Sequence, residues 1–311
     1  MLNILINRSE IAAGTRGSSL GPDAIKFESL NNNSNLFIEN KIVEIPIDNS
    51  ALIKNEEFQN ANNINSLTKN LLIANDCTIE NTDKNANIIF VSADHSMAIA
   101  HVNGVKKLVD DKKLGVLWID AHADLHTPFT SPSGNIHGMP LSVLLNEDNI
   151  ENKDNSPTEK VVNYWENLKK KFHSIKYSDL FYVGLRAVEK QELKLIKKNN
   201  IPLINVRNIN NGLIEDSVKQ IESFFKNHDY IYISFDIDVL DPDDTSYGTG
   251  TPEKYGILKD RCIEFFDFLL NIKKIKFFEL VEVNPLLDTE NKLAKVSLEI
   301  LELIKGKFQD R

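Results

Sequence analysis

Gly115-Val116-Leu117-Trp118-Ile119-Asp120-Ala121-His122-Ala123-Asp124-Leu125-His126 is the stretch whose reading decides how this chain folds. Its first five residues make an apolar run of the length and β-branched character of a buried strand, and the charged residues begin where such a strand leaves the core. On an extended backbone successive side chains alternate faces, so Asp120, His122 and Asp124, at i, i+2 and i+4, are expected to project to one side. Two carboxylates held that close repel and raise each other's pKa, a cost that a divalent cation between them removes. The stretch reads as a metal site at a strand end, continued by Ser131-Pro132-Ser133-Gly134-Asn135-Ile136-His137.

Outward from it, short apolar runs alternate with longer helical patterns, which is the signature of an α/β fold. Strands are expected near Ile4–Asn7, Ile42–Pro46, Ile88–Ser92, Gly115–Ile119, Leu180–Gly184, Leu203–Val206, Tyr230–Phe235 and Phe277–Val283. Helices are expected near 60–75, 96–109, 138–146, 158–172, 189–199, 212–227, 256–272 and 290–304. Asn-rich pieces such as 31–35 and 147–155 are too polar for a core and read as surface loops. No linker, composition break or internal repeat divides the chain, so a single domain over 1–311 is expected.

Composition limits what such a site can serve. A chain of 311 residues with 41% hydrophobic content can bury a full core, and a formal charge of -9 argues against a nucleic-acid groove or an anionic membrane surface. Small ligands or proteins are the expected partners. Cys77 and Cys262 are the only cysteines, too few for a disulfide framework or a cysteine zinc site, so a reducing, cytoplasmic setting is expected. The apolar start Leu2–Ile6 lacks a basic flank and a cleavage site, and no stretch approaches the length of a membrane span, so neither export nor membrane insertion is expected.

The glycines of Gly14-Thr15-Arg16-Gly17-Ser18-Ser19-Leu20-Gly21-Pro22 fit neither phosphate-loop spacing, and read as a tight loop with Pro22 opening a helix. Polar groups recur instead just after the expected strands, where open parallel sheets place their ligands. Asp94-His95-Ser96, Asp120 to Asp124, Arg186 to Glu189, Asp236-Ile237-Asp238 and Glu282-Val283-Asn284 all fall there. A lone histidine or one Asp-x-Asp is weak, but their joint occurrence at successive strand ends points to a metal site.

These residues resemble the ureohydrolases, and within them the arginases. The resemblance covers nearly the whole chain and rests on Asp94-His95-Ser96, Asp120-Ala121-His122-Ala123-Asp124, Ser234-Phe235-Asp236-Ile237-Asp238-Val239-Leu240-Asp241-Pro242, Gly248-Thr249-Gly250-Thr251-Pro252 and Glu282-Val283-Asn284-Pro285. Ser133-Gly134-Asn135-Ile136-His137-Gly138 resembles the arginase form of the loop after the metal ligands. The resemblance implies a three-layer α/β/α sandwich on a mostly parallel eight-stranded sheet, shared in outline with deacetylases. It implies a manganese ion held by His95, Asp120, Asp124 and Asp236, and a second held by Asp120, His122, Asp236 and Asp238. Such a pair generates hydroxide near neutral pH, here to cleave the guanidinium of L-arginine into L-ornithine and urea.

By the same resemblance Glu282 orients the guanidinium, Asp124 passes a proton to the leaving amine and His137 shuttles protons. The substrate's far end is expected against His126, Ser131, Ser133 and Asn135 for the carboxylate and Glu189 for the amine, with Thr251 a further substrate-binding residue. His126 and Glu189 depart from the commoner asparagine and aspartate, and residues 243–247 run one residue longer than in many arginases. A homo-oligomer, trimer or hexamer, is implied as well. Two alternatives stand beside this reading. One is a sibling acting on agmatine or guanidinobutyrate, which the Ser133–Asn135 loop argues against, and the other is a silent binding protein, which the complete ligand set argues against. A single-zinc deacetylase is disfavoured by the joint Asp-x-His-x-Asp and Asp-x-Asp array.

Overall fold

Alternation along the strands builds the interior. The computed structural model describes residues 2–54 and 58–310. Its strands are β1 (Asn3–Asn7), β2 (Lys41–Glu44), β3 (Ile88–Ser92), β4 (Leu114–Ile119), β5 (Leu180–Val183), β6 (Leu203–Ile204), β7 (Tyr230–Asp236) and β8 (Ile275–Val281). In β4, Leu117 and Ile119 face one way and join Ile89 and Val91 of β3, Ile233 and Phe235 of β7, and Phe278 and Leu280 of β8. Val116 and Trp118 face the other way and join Phe90, Tyr182, Tyr232 and Phe277. Both faces of the sheet are therefore buried, which is why its strands read as unbroken apolar runs.

The sheet has eight strands in the order β2-β1-β3-β8-β7-β4-β5-β6. Every pairing is parallel. Eleven helices cover it among the described residues: α1 (Gly21–Asn31), α2 (Ala51–Lys54), α3 (Ile64–Asn81), α4 (Ala98–Val109), α5 (Pro140–Leu145), α6 (Glu159–Phe172), α7 (Lys190–Lys198), α8 (Val206–Asn210), α9 (Ile214–Phe224), α10 (Lys259–Leu269) and α11 (Lys292–Gln309). Helices α1 and α8 to α11 pack on one face, and α2 to α7 on the other. This is the α/β/α sandwich expected from the sequence.

Some boundaries differ for local reasons. The strand expected over Leu203–Val206 is two residues long, because Asn205 caps a helix that Val206 opens, accepting from the Asn208 N–H at 3.1 Å. Helix α3 starts later than expected and runs on to Asn81, its apolar stripe of Leu67, Leu71 and Ala74 continuing onto Thr78, whose hydroxyl bonds back to the Ala74 carbonyl. Helices α2 and α8, both short, were not anticipated.

All parallel strands point their C-terminal ends to one edge, and the turn after β5 is set by Gly184. Its φ is +95°, and a Cβ placed there would lie 2.3 Å from Val239 Cγ2 in the loop after β7. Gly184→Ala is therefore expected to destabilise the fold by more than about 1 kcal/mol, combining a strained backbone with a clash. An unchanged urea midpoint would contradict this account of the turn.

Candidate metal centre and active site

Three aspartates at strand ends fold the chain the same way. Asp94 Oδ1 accepts from the Ser96 N–H at 2.9 Å, Asp120 Oδ1 from the His122 N–H at 2.7 Å, and Asp236 Oδ1 from the Asp238 N–H at 2.8 Å. Each closes a side-chain-to-backbone turn that brings the following groups back over the sheet edge. The convergence of Asp120, His122 and Asp124 is thus achieved differently from simple strand alternation. Strand β4 stops at Ile119, and Asp124 adopts φ 51°, a left-handed conformation that aspartate tolerates.

The centre is buried and carboxylate-rich. His95 Nδ1 lies 3.2 Å from Asp120 Oδ2, 3.1 Å from Asp124 Oδ2 and 3.2 Å from Asp236 Oδ2, yet is aligned to hydrogen-bond none of them. Beside it, His122 Nδ1 lies 2.9 Å from Asp238 Oδ2 and 3.5 Å from Asp120 Oδ1. His95, Asp120 and Asp236 form one group able to hold a cation, and Asp120, His122 and Asp238 another, with Asp120 common to both. The His95 ring is stacked on Trp118, with centroids 4.1 Å apart, while the Trp118 indole N–H donates to Asp120 Oδ2 at 3.0 Å.

Electrostatics reports the same crowding. Burial, then Asp238 and Asp120, push the Asp236 carboxyl well above the ordinary range, and burial with Asp120 pushes Asp124 up to about 6. Burial opposes charge on His95 and His122, but the surrounding aspartates raise both. A buried imidazole nitrogen with three carboxylate oxygens around it and no hydrogen bond is an orphaned donor set that a divalent cation satisfies. The residues present fit a metal.

Above the centre, Glu282 follows β8 with φ 66°; its Oε1 accepts from the His95 N–H at 3.0 Å and sits 3.0 Å from His137 Nδ1. Burial disfavours charge on both partners, yet their proximity lowers the Glu282 pKa and raises that of His137 to about 9. His137, with His95, His122, Asp124 and Asp236, lines a cavity of about 580 Å³ whose wall also includes His126, Ser131, Ser133, Asn135, Glu189 and Thr251. The structure thus gathers most of the expected site residues around one space, with Asp120, Asp238 and Glu282 in contact with lining groups but not part of the lining, and not all in the expected posture. Thr251 Oγ1 donates to Asp238 Oδ2 at 3.1 Å, the Ser131 hydroxyl accepts from the Gly134 N–H, and Asn135 Oδ1 accepts from Asn62. His126 Nε2 points between Glu192 Oε2 at 3.6 Å and Glu189 Oε2 at 3.8 Å.

Two contributors carried no expected role. Glu192 is buried and accepts from the Leu125 and Glu189 N–H groups, tying helix α7 to the loop after β4. The spacing Glu189-x-x-Glu192 at a helix start was the available signal. Arg186 donates to six backbone carbonyls, those of Gly184, Asp238, Val239, Leu240, Glu253 and Lys254, and so fixes the loop bearing Asp238 and Thr251. Nothing local predicts that convergence.

Fold and site together define an α/β/α protein with a carboxylate-rich cluster able to hold metal at the C-terminal edge of a parallel sheet. Residues 7–304 match the Arginase family. The arginase of Bacillus subtilis is 32% identical over 300 residues, covering 96% of this chain and 95% of that protein. The solved arginase of Entamoeba histolytica in complex with L-ornithine superposes with a TM-score of 0.83 at 26% identity, covering 97% of this chain and 98% of that one. The formimidoylglutamase of B. subtilis, at 16% identity and a TM-score of 0.74 over 99% of this chain and 88% of its own, shares the fold. The chain belongs to the arginase family, whose members are metal-dependent.

The Glu282–His137 contact gives a direct test in metal-free protein. Because the folded pKa of His137 is raised, its contribution to stability is full below the unfolded value of about 6.5 and is lost as pH rises through about 9. In Glu282→Gln the His137 ring, followed by NMR, is expected to titrate closer to 6.5 than in the wild type. An unmoved midpoint would show that Glu282 is not what holds the proton there.

Proposed function

We propose that this chain hydrolyses the guanidinium group of L-arginine to L-ornithine and urea, using two Mn²⁺ ions per chain. His95, Asp120, Asp124 and Asp236 hold one ion, and Asp120, His122, Asp236 and Asp238 the other. The observation that carries the reading is the unbonded His95 Nδ1 among three carboxylates, beside a second His–Asp group that shares Asp120. Four carboxylates with two imidazoles make a hard, oxygen-rich donor set, which suits manganese better than zinc. Bound there, the ion pair supplies a water acidified to near neutrality.

The side chains do the rest. Glu282 accepts the guanidinium fork through charge-assisted hydrogen bonds and holds its carbon at the mouth of the centre. Asp124 would take up a proton released at the centre and pass it to the departing amine, and His137 carries protons between the site and solvent. Ser131, Ser133, Asn135 and His126 offer neutral donors to the α-carboxylate, Glu189 takes the α-ammonium directly or through water, and Thr251 steadies Asp238.

We read residues 1–311 as one ureohydrolase unit working in the cytoplasm as a homo-oligomer, trimer or hexamer. No helix among the described residues is long and apolar enough to cross a membrane. Sedimentation of the purified chain as a monomer would contradict the oligomer.

The decisive assay is mass spectrometry of products from separate incubations with arginine, agmatine and guanidinobutyrate, alongside calorimetric titration of metal-depleted protein with Mn²⁺. Two Mn²⁺ per chain and much faster turnover of arginine are expected, since agmatine leaves the carboxylate donors unpaired. Agmatine or guanidinobutyrate turned over as fast as arginine would reassign the substrate while keeping guanidine hydrolysis.

A further inference from the structure

Glu279 stands in the middle of β8, between β3 and β7, with none of its surface exposed. A carboxylate inside the central strands breaks the apolar pattern around it and is strongly unfavourable there unless hydrogen-bonded. Hydroxyls from the neighbouring strands meet it: Ser92 Oγ donates to Oε1 at 2.7 Å, Tyr232 OH to Oε2 at 2.9 Å, and Ser234 Oγ to Oε2 at 3.4 Å. The His101 ring lies 3.9 Å away, and burial keeps it neutral down to about 3. Its hydrogen bonds come from three hydroxyls.

Ser234 links this group to the centre. Its Oγ lies 2.8 Å from His95 Nε2, on the far side of the ring from the Nδ1 that faces Asp120, Asp124 and Asp236. An imidazole that offers Nδ1 to a cation carries its proton on Nε2, so that proton goes to Ser234 Oγ. Ser234, having accepted there, directs its own proton to Glu279. The stack on Trp118 sets the plane of the His95 ring, and the chain of hydroxyl and carboxylate sets which nitrogen is bare and how the ring is turned within that plane.

We propose that Glu279 is a positioning residue that acts through Ser234 on His95, fixing the tautomer and donor strength of the imidazole facing the metal site. The inference rests on the metal reading given above. Carboxylates placed behind a ligating histidine tune its affinity for the ion without touching it.

The test is calorimetric titration of metal-depleted wild type, Glu279→Gln, Ser234→Ala, the double variant and Tyr232→Phe with Mn²⁺, each checked for cooperative unfolding. Glu279→Gln and Ser234→Ala are each expected to weaken binding about tenfold to a hundredfold. The double variant should lose no more than the weaker-binding single, because both changes break one chain. Tyr232→Phe takes a hydroxyl from the same carboxylate but lies off the path to His95, and should bind Mn²⁺ like wild type. Wild-type binding by folded Glu279→Gln overturns the proposal, as does a loss in Tyr232→Phe equal to that in Ser234→Ala. Should Glu279→Gln fail to fold, Ser234→Ala decides alone, and undiminished affinity there overturns the proposal. Wild-type protein that binds no Mn²⁺ at all overturns the metal reading itself, and the inference with it.

Discussion

Buried negative charge is the constraint on which this structure turns. Asp120, Asp124, Asp236 and Asp238 are each at most 6% exposed and share one small space with two histidines. In so dry a place like charges cannot all ionise uncompensated, and the raised pKa values of Asp236 and of both histidines express that conflict. Side chains left free would swing apart. They are prevented by the same backbone that brings them together, since Asp120 and Asp236 each have one oxygen held by an N–H two residues on, and the strands behind them are packed on both faces. The sheet thus holds a repulsive arrangement that a cation would turn attractive.

What the sequence revealed follows from where the physics is local. Strands buried on both faces are continuous apolar runs, so Ile88–Ser92 and Tyr230–Asp236 could be recognised directly, whereas for β6, two residues ending at a capped helix, the strand was placed but its end was not. Ligand-type residues were legible because they cluster at strand ends within a few positions of one another. Their convergence was expected for a partly wrong reason, as side-chain-to-backbone turns and a left-handed Asp124 replace strand alternation. Arg186 and Glu279 were opaque in their roles, because a guanidinium bonded to six carbonyls and a carboxylate bonded to three hydroxyls depend on partners from other elements.

The two ends of the cavity are built to different standards. At the deep end Asp120, Asp236, His95 and Glu282 are each held by a turn, a stacked ring or a neighbouring N–H, and a shift in any of them disturbs several others. At the rim the Glu189 side chain is 51% exposed, Ser133 is exposed, and His126 Nε2 reaches no partner closer than 3.6 Å. Changes at the rim leave the centre intact, so one scaffold can serve several substrates. That the fold alone does not settle the substrate follows from the same separation.

The rim also limits how a substrate's far end can be read. Among the described residues Arg186 is the only arginine or lysine lining the cavity, and its guanidinium is already committed to backbone carbonyls. Burial lowers the pKa of His126, so that ring meets a ligand without a charge near neutral pH. A carboxylate arriving there finds hydroxyls, an amide and a neutral imidazole, with Glu189, Glu192 and Glu253 nearby to repel it. Charge therefore does not select an amino acid over an amine at this site; the field by itself favours the more cationic ligand. Preference for a carboxylate has to come from the geometry of neutral donors, each of which loses its water when the cavity fills and is left unpaired by a ligand that lacks the group.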